Sequence, residues 1–386
     1  MSVGTLISIT IFITILVIGI YLGAGLRKLK NISDQPVDRK RAGRKVSIVV
    51  PACDEEENIE KAVCSLLAQE YEELEVIVVN DRSADGTAAI LTSIKKKYPQ
   101  LIVLTVNSLP DGWMGKANAL RLGAEQASGE YLLFTDADVQ MEKTVIQRAV
   151  LYLENVGLDH LSLIFNNTSP GWLLNSLILD AGMGLLLLFR PWKVASSDPT
   201  SFIGVGAFNL VRKSVYIAVG GHRTIKMHPI DDVMLGKIIK EQGFVSGCLL
   251  AGNFVVVPWY SSAVSMINGL QKNVFAVVHY RLAAISILLL LILAIAVYPF
   301  WGILCGTLSI RLFCTLALAV RLLMFYRALE MQGLPLYYLP GVLVTPYVSC
   351  YIIVKATCHT LKNKGIIWRG RHYPLEQLRA AKPLIY

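Results

Sequence analysis

Charge is scarce in this chain. Of its 386 residues, 17% are Asp, Glu, Lys or Arg and 54% are hydrophobic. Mean hydropathy is +0.51. The usual charged share is about a quarter, so part of the chain is expected to sit in lipid. The length holds two ordinary domains, or one domain and a membrane region. Cysteine gives no framework. There are seven, at 53, 64, 248, 305, 314, 350 and 358, with no Cys-x-x-Cys and three inside apolar runs. That odd, unspaced set excludes a disulfide scaffold and a zinc site, and places the soluble part in a reducing compartment. No internal repeat or low-complexity segment is present, and the methionines suggest no cofactor. No Ala-x-Ala site follows the first apolar run. That run is therefore read as a membrane span and not as a cleaved signal peptide.

The first run, residues 3–26, carries no charge and is long enough to cross a bilayer. A basic segment follows over residues 27–45: Arg27, Lys28, Lys30, Arg39, Lys40, Arg41, Arg44 and Lys45, against Asp34 and Asp38. Positive residues favour the cytoplasmic side, so the following domain is expected there. The net charge of +9 then belongs to a membrane protein. Its basic residues cluster beside apolar spans instead of forming an aromatic-interleaved groove, so no nucleic-acid partner is expected.

From residue 46 the pattern alternates. Val46–Pro51 reads as a buried strand, and Glu55–Gln69 as a helix with Ile59, Val63, Leu66 and Leu67 on one face. Glu75–Val79, Leu101–Val106 and Tyr131–Thr135 read as further strands, with a helix over Gly115–Ala127. Strand–helix alternation predicts an α/β fold with a parallel sheet and helices on both faces. In such sheets ligands bind at the carboxyl ends of strands. Pro51, Asp81 and Asp138 all lie at such ends. Asp136 and Asp138 follow the last strand directly. In an extended chain they face the same side, two hard oxygen ligands suited to Mg²⁺ or Mn²⁺. Alone, Asp-x-Asp is weak, because turns use the same residues.

Trp172–Arg190 is apolar but interrupted by Asn175 and Asp180, and reads as an interfacial or buried helix. Ser201–Arg212 reads as a strand with a tight Gly204-x-Gly206, Asp231-Asp232 opens a helix, and Val245–Val257 is a strand. The expected domain is therefore 46–258. Residues 259–281 read as one interfacial helix, 282–358 as membrane helices and 359–386 as a basic tail. Within the membrane region, Arg311 and Arg321 must snorkel or face protein. The run 334–358 carries Pro335, Pro340, Gly341 and Pro346. Span counting puts the tail outside and its charge puts it inside. A re-entrant 334–358 reconciles the two, leaving a multi-pass protein of the cell membrane with its tail and catalytic domain cytoplasmic.

Taken in order, the motifs carry a resemblance. Val46-Ser-Ile-Val-Val-Pro51 with Asp54-Glu55-Glu56, Asn80-Asp-Arg-Ser-Ala-Asp-Gly-Thr87, Gly115-Lys116-Ala-Asn-Ala-Leu120, Asp136-x-Asp138 and Gly220-Gly with Asp231-Asp232-Val-x-Leu235 resemble family 2 glycosyltransferases of the GT-A (Rossmann-like) fold. Trp113-x-Gly-Lys116, Gly269-x-x-Lys272-Asn273 and Trp368-Arg-Gly-Arg371-x-Tyr373 resemble a membrane-anchored subgroup that includes hopanoid-associated and carotenoid glycosyltransferases. The resemblance implies an inverting transfer of one sugar from a nucleotide-diphosphate sugar, expected to be a UDP-sugar, to a lipid or isoprenoid acceptor. It implies donor contacts from Pro51, Asp54, Glu55, Asp81, Lys116 and Asp136, and a metal held by Asp136 and Asp138. Asp232 is then the general base, with Asp231 beside it raising the pair's proton affinity. Asp231, Trp113, Lys272, Trp368 and Arg371 fall on the acceptor side.

Plainer readings stand beside these. Asp81 can cap a turn, Lys116 can be a solvated helix residue, and Asp231-Asp232 can be ordinary helix N-terminal charges. Trp113 can be core, His222 and His228 loop histidines, and Cys53 and Cys64 small core residues. The Gln-x-x-Arg-Trp motif of processive family members is absent; Gln271 is followed by Lys-Asn-Val-Phe. That favours single transfer over a polysaccharide synthase. A transporter or flippase with a degenerate nucleotide-binding domain is the alternative of another class, disfavoured by the intact aspartates and the few spans. The sequence does not fix the oligomeric state.

Overall fold

The computed structural model describes residues 1–37 and 43–384. Asp38, Arg39, Lys40 and Arg41 of the basic segment lie outside the described residues. The chain forms two compact units: an α/β unit of Leu29–Thr168 and Phe189–Trp259, and a helical unit of Met1–Lys28, Ser169–Leu188 and Tyr260–Tyr386. The α/β unit starts earlier than the expected residue 46. Ile32 is fully buried, and Asn31 bridges to Leu250.

The sheet has eight strands: β1 (Val46–Ala52), β2 (Leu74–Asp81), β3 (Ile102–Val106), β4 (Tyr131–Phe134), β5 (Gln140–Met141), β6 (His160–Asn167), β7 (Asn209–Arg212) and β8 (Ser246–Val257). Their order is β3-β2-β1-β4-β7-β6-β8-β5. β1 is a nearly unbroken apolar run because both its neighbours and both its faces are covered. Val46, Ile48, Val49 and Val50 are completely buried. Each such side chain is worth roughly 1.5–3 kcal/mol of burial. β3, β2, β1 and β4 run parallel. β7 runs antiparallel to both β4 and β6. The expectation of an all-parallel sheet is corrected here: β7 returns between β4 and β6 and reverses the direction, making the sheet mixed.

A second correction concerns residues 201–212. Only Asn209–Arg212 is strand. The preceding backbone packs instead on the first turn of the helix Asp231–Glu241. A Cβ on Gly204 would stand 1.8 Å from the Asp232 carbonyl oxygen, a clearance that only glycine allows.

The sheet interior holds a polar cluster. His160 and Ser162 on β6, Asn209 on β7 and Ser246 on β8 are all essentially inaccessible. They are sheet neighbours: His160 pairs with Ser246 and Ser162 with Asn209. His160 Nε2 meets Asn209 Oδ1, and Nδ1 lies 3.2 Å from Ser246 Oγ. Ser162 Oγ donates to Asn209 Oδ1 at 3.2 Å.

The helical unit has helices long and apolar enough to cross a membrane at Val3–Leu26, Leu282–Cys305, Leu308–Met331 and Gly341–Lys362. Trp172–Phe189 is one helix, and the segment through Lys193 also reaches that length. Asn175 and Asp180, the two residues that interrupt it, have partners. Asn175 Nδ2 donates to the Ser169 and Gly171 carbonyls at 2.8 Å. Asp180 takes a 3.5 Å contact from Arg321 Nη2, whose Nη1 donates to the Ala296 carbonyl at 2.9 Å. Arg321 therefore faces protein.

Two expectations in this unit change. Residues 259–281 form not one helix but short pieces, Ala263–Gly269, Leu270–Lys272 and Val274–Val277. His279 and Tyr280, both with positive φ, separate these pieces from the helix that starts at Leu282. The prolines of 334–358 confine irregular backbone to residues before 341. From there helix runs unbroken through Pro346. The tail folds as a hairpin, Gly365–Trp368 with Arg371–Pro374, and a short helix, Leu375–Ala380.

Burial pushes His160 down from 6.5 to about 4, against weaker opposing effects from Asn209 and Asp159. The unfolded chain takes up the proton first. The stability this group contributes is full above about pH 6.5 and is lost as pH falls towards about 4. The loss should be on the order of 3 kcal/mol. Thermal melting across that window should show the fall, and His160→Gln should flatten it. An unchanged slope in the variant would assign the acid sensitivity elsewhere.

Candidate active site

In the order β3-β2-β1-β4, the chain turns to opposite sides of β1, and a crevice opens beyond the carboxyl ends of β1 and β4. Loops after β1 and β2 are tied together there. Asp54, at φ 53°, accepts from Ala84 N at 2.8 Å and donates its own N–H to Ser83 Oγ. Glu55 N donates to Thr87 Oγ1 at 2.9 Å. Asp85 accepts from Thr87 N and Glu56 N. Pro51 sits near the end of β1. Asp81 ends β2, buried, with Arg82 forked onto it at 2.8 and 2.9 Å. Its carboxylate is thus paired already, through a residue that the sequence reading passed over.

Lys116 stands in the first turn of the helix Gly115–Gln126. It points into a nest of carboxylates and not into open solvent. Its Nζ lies 2.6 Å from Asp136 Oδ1 and 3.8 Å from Asp231 Oδ1. Burial opposes its charge, but Asp136, Asp231 and Asp232 outweigh it and hold the ammonium well above its ordinary range. Asp136 N donates to the Gly206 carbonyl at 3.1 Å. Gly206 N donates to Asp232 Oδ2 at 2.8 Å. A Cβ on Gly206 would stand 2.6 Å from Asp136 Oδ2 and 3.3 Å from Asp232 Oδ2. Residue 206 therefore links the two carboxylates and must be small. Burial raises the Asp232 carboxyl, with Lys116 opposing and Asp136 adding to the rise.

Asp136 and Asp138 do not continue the strand. β4 ends at Phe134 and residues 137–138 form a turn, which corrects the extended geometry expected for the pair. They remain electrostatic neighbours: burial, then Asp136 and Glu55, push Asp138 up to about 7. His222 closes the crevice. It is buried, lies edge-on to Phe134 at 4.9 Å, and shares a 2.9 Å hydrogen bond with Tyr216 Oη. Burial, then Lys116, push it down to about 3, so it stays neutral.

Trp113 is half-buried under Arg121, whose guanidinium lies 5.0 Å from the ring. Lys272, Trp368 and Arg371 belong to the helical unit. Lys272 Nζ sits 3.8 Å over the Trp368 ring, and Arg371 pairs with Trp368 across the hairpin. Sequence reasoning missed Arg82, Gly206 and Asn209. The signal for Asn209 was present: a lone amide within the apolar Phe208-x-Leu210-Val211, facing an alternating His160-x-Ser162.

The model of glycosyl transferase family 2 matches residues 47–220. Residues 47–220 are a family 2 glycosyltransferase domain. The 4,4'-diaponeurosporenoate glycosyltransferase of Staphylococcus haemolyticus (strain JCSC1435) is 27% identical over 239 residues, 54% of this chain and 58% of that protein. The poly-beta-1,6-N-acetyl-D-glucosamine synthase of Staphylococcus epidermidis is 38% identical over 98 residues, 25% of this chain and 22% of that one. The chain thus spans little more than half the length of the first and under a quarter of the second. Among solved structures, the mannosyltransferase PcManGT from Pyrobaculum calidifontis, in complex with GDP-Man and Mn²⁺, superposes with a TM-score of 0.57. The identity is 19%, over 90% of this chain and 99% of that one. The likeness shows a shared GT-A fold.

The glycosyltransferase domain suits a divalent cation in one specific way. Among the described residues, no three acidic, histidine or cysteine side chains converge as a metal cage. Asp136 and Asp138, the latter pushed up to about 7 by burial and then by Asp136 and Glu55, are the kind of donor set that suits a cation shared with substrate phosphates.

Removing Lys116 should expose this crowding. Lys116→Met should destabilise the fold by about 1–3 kcal/mol, less than a fully buried pair because the lysine is partly exposed. The deficit should shrink in mildly acidic buffer, where the raised Asp232 carboxyl takes up its proton. Melting curves of both proteins at alkaline and acidic pH decide it. A deficit that ignores pH would mean that the lysine acts by packing alone.

Proposed function

We propose that this chain is a membrane-bound inverting glycosyltransferase that moves one sugar from a nucleotide-diphosphate sugar, a UDP-sugar, to a lipid or isoprenoid acceptor. The observation that carries the reading is the cluster of Lys116, Asp136, Asp231 and Asp232 beside the β1–β4 crevice of a family 2 domain. The relative named as a carotenoid glycosyltransferase supports the lipid acceptor. The apolar helices support a membrane setting. The basic residues after the first helix support a cytoplasmic domain.

In this reading the acceptor hydroxyl attacks the anomeric carbon from the face opposite the nucleotide. A new carbon–oxygen bond forms as the bond to the diphosphate breaks. Asp232 takes the hydroxyl proton, a role suited to a carboxyl whose proton affinity is raised. Lys116 supplies positive charge beside the departing diphosphate. Mg²⁺ or Mn²⁺ held by Asp136 and Asp138 would add Lewis-acid neutralisation of that group. Asp54, Glu55 and Asp81, with Pro51, frame the nucleotide end of the crevice, and Asp81 reads a base N–H while sharing Arg82. Asp231 and Trp113 flank the acceptor side. Within the helical unit, the basic and aromatic trio Lys272, Trp368 and Arg371 suits contact with a lipid head. A polysaccharide synthase is the second reading, favoured by the 38% identity to the poly-N-acetylglucosamine synthase. The missing Gln-x-x-Arg-Trp weighs against it.

Two experiments test the chemistry. Chelator should abolish sugar transfer and Mg²⁺ or Mn²⁺ restore it, and Asp138→Asn should be inactive while still folding and inserting. Full turnover in excess EDTA would remove the metal role. Separately, Asp232→Asn should lower turnover by roughly 10²–10⁴-fold with donor binding nearly intact. A collapse of donor affinity instead would move Asp232 into the donor site.

A further inference from the structure

The segment that carries Gly206 also grips Asp232 from behind. Asn209 Nδ2 donates to the Asp232 main-chain carbonyl at 3.3 Å, while Gly206 N–H holds the carboxylate itself. Three residues apart, these groups hold Asp232 at both ends. The same stretch is fixed to β4, because Thr135 Oγ1 donates to the Ala207 carbonyl at 2.8 Å and Asp136 N donates to the Gly206 carbonyl.

The direction of the Asn209 amide is set from inside the sheet. Its oxygen receives Ser162 Oγ–H and lies on His160 Nε2. Two donors on that atom leave the NH₂ end for Asp232. Nε2 then carries the His160 proton, and Nδ1 accepts from Ser246 Oγ. Each polar group in the chain from Ser246 to Asp232 has its complement, as buried networks require. Apolar residues of similar shape would fill the same space at no loss of packing. What they would not supply is a donor aimed at the start of the helix Asp231–Glu241.

We propose that Asn209 is a positioning residue for the Asp232 carboxylate, oriented by His160 through the side-chain amide. This rests on the role given to Asp232 under Proposed function. It acts without touching substrate: the β6–β7–β8 interior fixes where the base stands relative to Asp136.

The test uses the full-length protein in detergent, with the nucleotide sugar that supports transfer in isolated membranes. Asn209→Ala should lower kcat by about ten- to a hundred-fold, the scale of a small misplacement of a reacting group. Donor KM should be unchanged. Asn209→Leu keeps the volume without burying a charge, loses the donor to Asp232, and should lose turnover likewise, which guards against an alanine variant whose cavity prevents folding. His160→Gln, which can still donate to Asn209, should retain most activity, and His160→Phe should not. In an Asp232→Asn background, Asn209→Ala should cause no further loss. Parental kcat in folded Asn209→Ala and Asn209→Leu, beside an inactive Asp232→Asn, would overturn the positioning role alone. Multiplying losses in the double variant would do the same. Parental turnover in Asp232→Asn would overturn the base role and this one with it.

Discussion

A single ammonium group gathers three carboxylates at the edge of the sheet. Lys116 reaches Asp136 at 2.6 Å and Asp231 at 3.8 Å, with Asp232 close enough to feel its charge. These residues come from three separate stretches: a helix start, a turn after β4, and the first turn of a later helix. Without a cation between them the carboxylates repel. With it, a crevice can carry dense negative charge. The glycines at 204 and 206 serve the same end by letting backbone approach where any side chain would clash.

The sequence made the outline of this site readable. Asp136, Asp138, Asp231 and Asp232 stand at element ends, and strand ends are where an α/β sheet binds ligands. Lys116 was read as a donor contact or a solvated helix residue; its partners in the fold are the aspartates themselves. Geometry between distant segments was not readable. Asp81 gave no sign that Arg82 would fork onto it, because neighbouring residues pair only when the backbone turns, here at a positive φ. Asn209 looked like an interruption of a strand until β6 supplied its complements. The sheet's mixed direction was also hidden, since alternation of strands and helices predicts crossovers but says nothing of a strand returning between two others.

The helical unit shows the same limit from the other side. Hydropathy located its helices well, and the need for Arg321 to face protein was legible from its place in an apolar run. Its partners were not: Asp180 lies 141 residues away in sequence, on a helix whose own charge had argued against membrane burial. Each charge makes the other tolerable. The prolines between 335 and 346 do not all break helix. Pro346 sits inside a continuous helix, where packing by neighbouring helices tolerates the lost hydrogen bond.

The central claim is that the Lys116–carboxylate cluster moves one sugar onto a lipid. Membranes carrying the full chain, incubated in turn with radiolabelled UDP-sugars and GDP-mannose and then partitioned between organic and aqueous phases, test it most directly. The account predicts label in the organic phase from one donor, as a product bearing a single sugar. Label that accumulates only as a water-soluble polymer, with none in the lipid fraction, would contradict it.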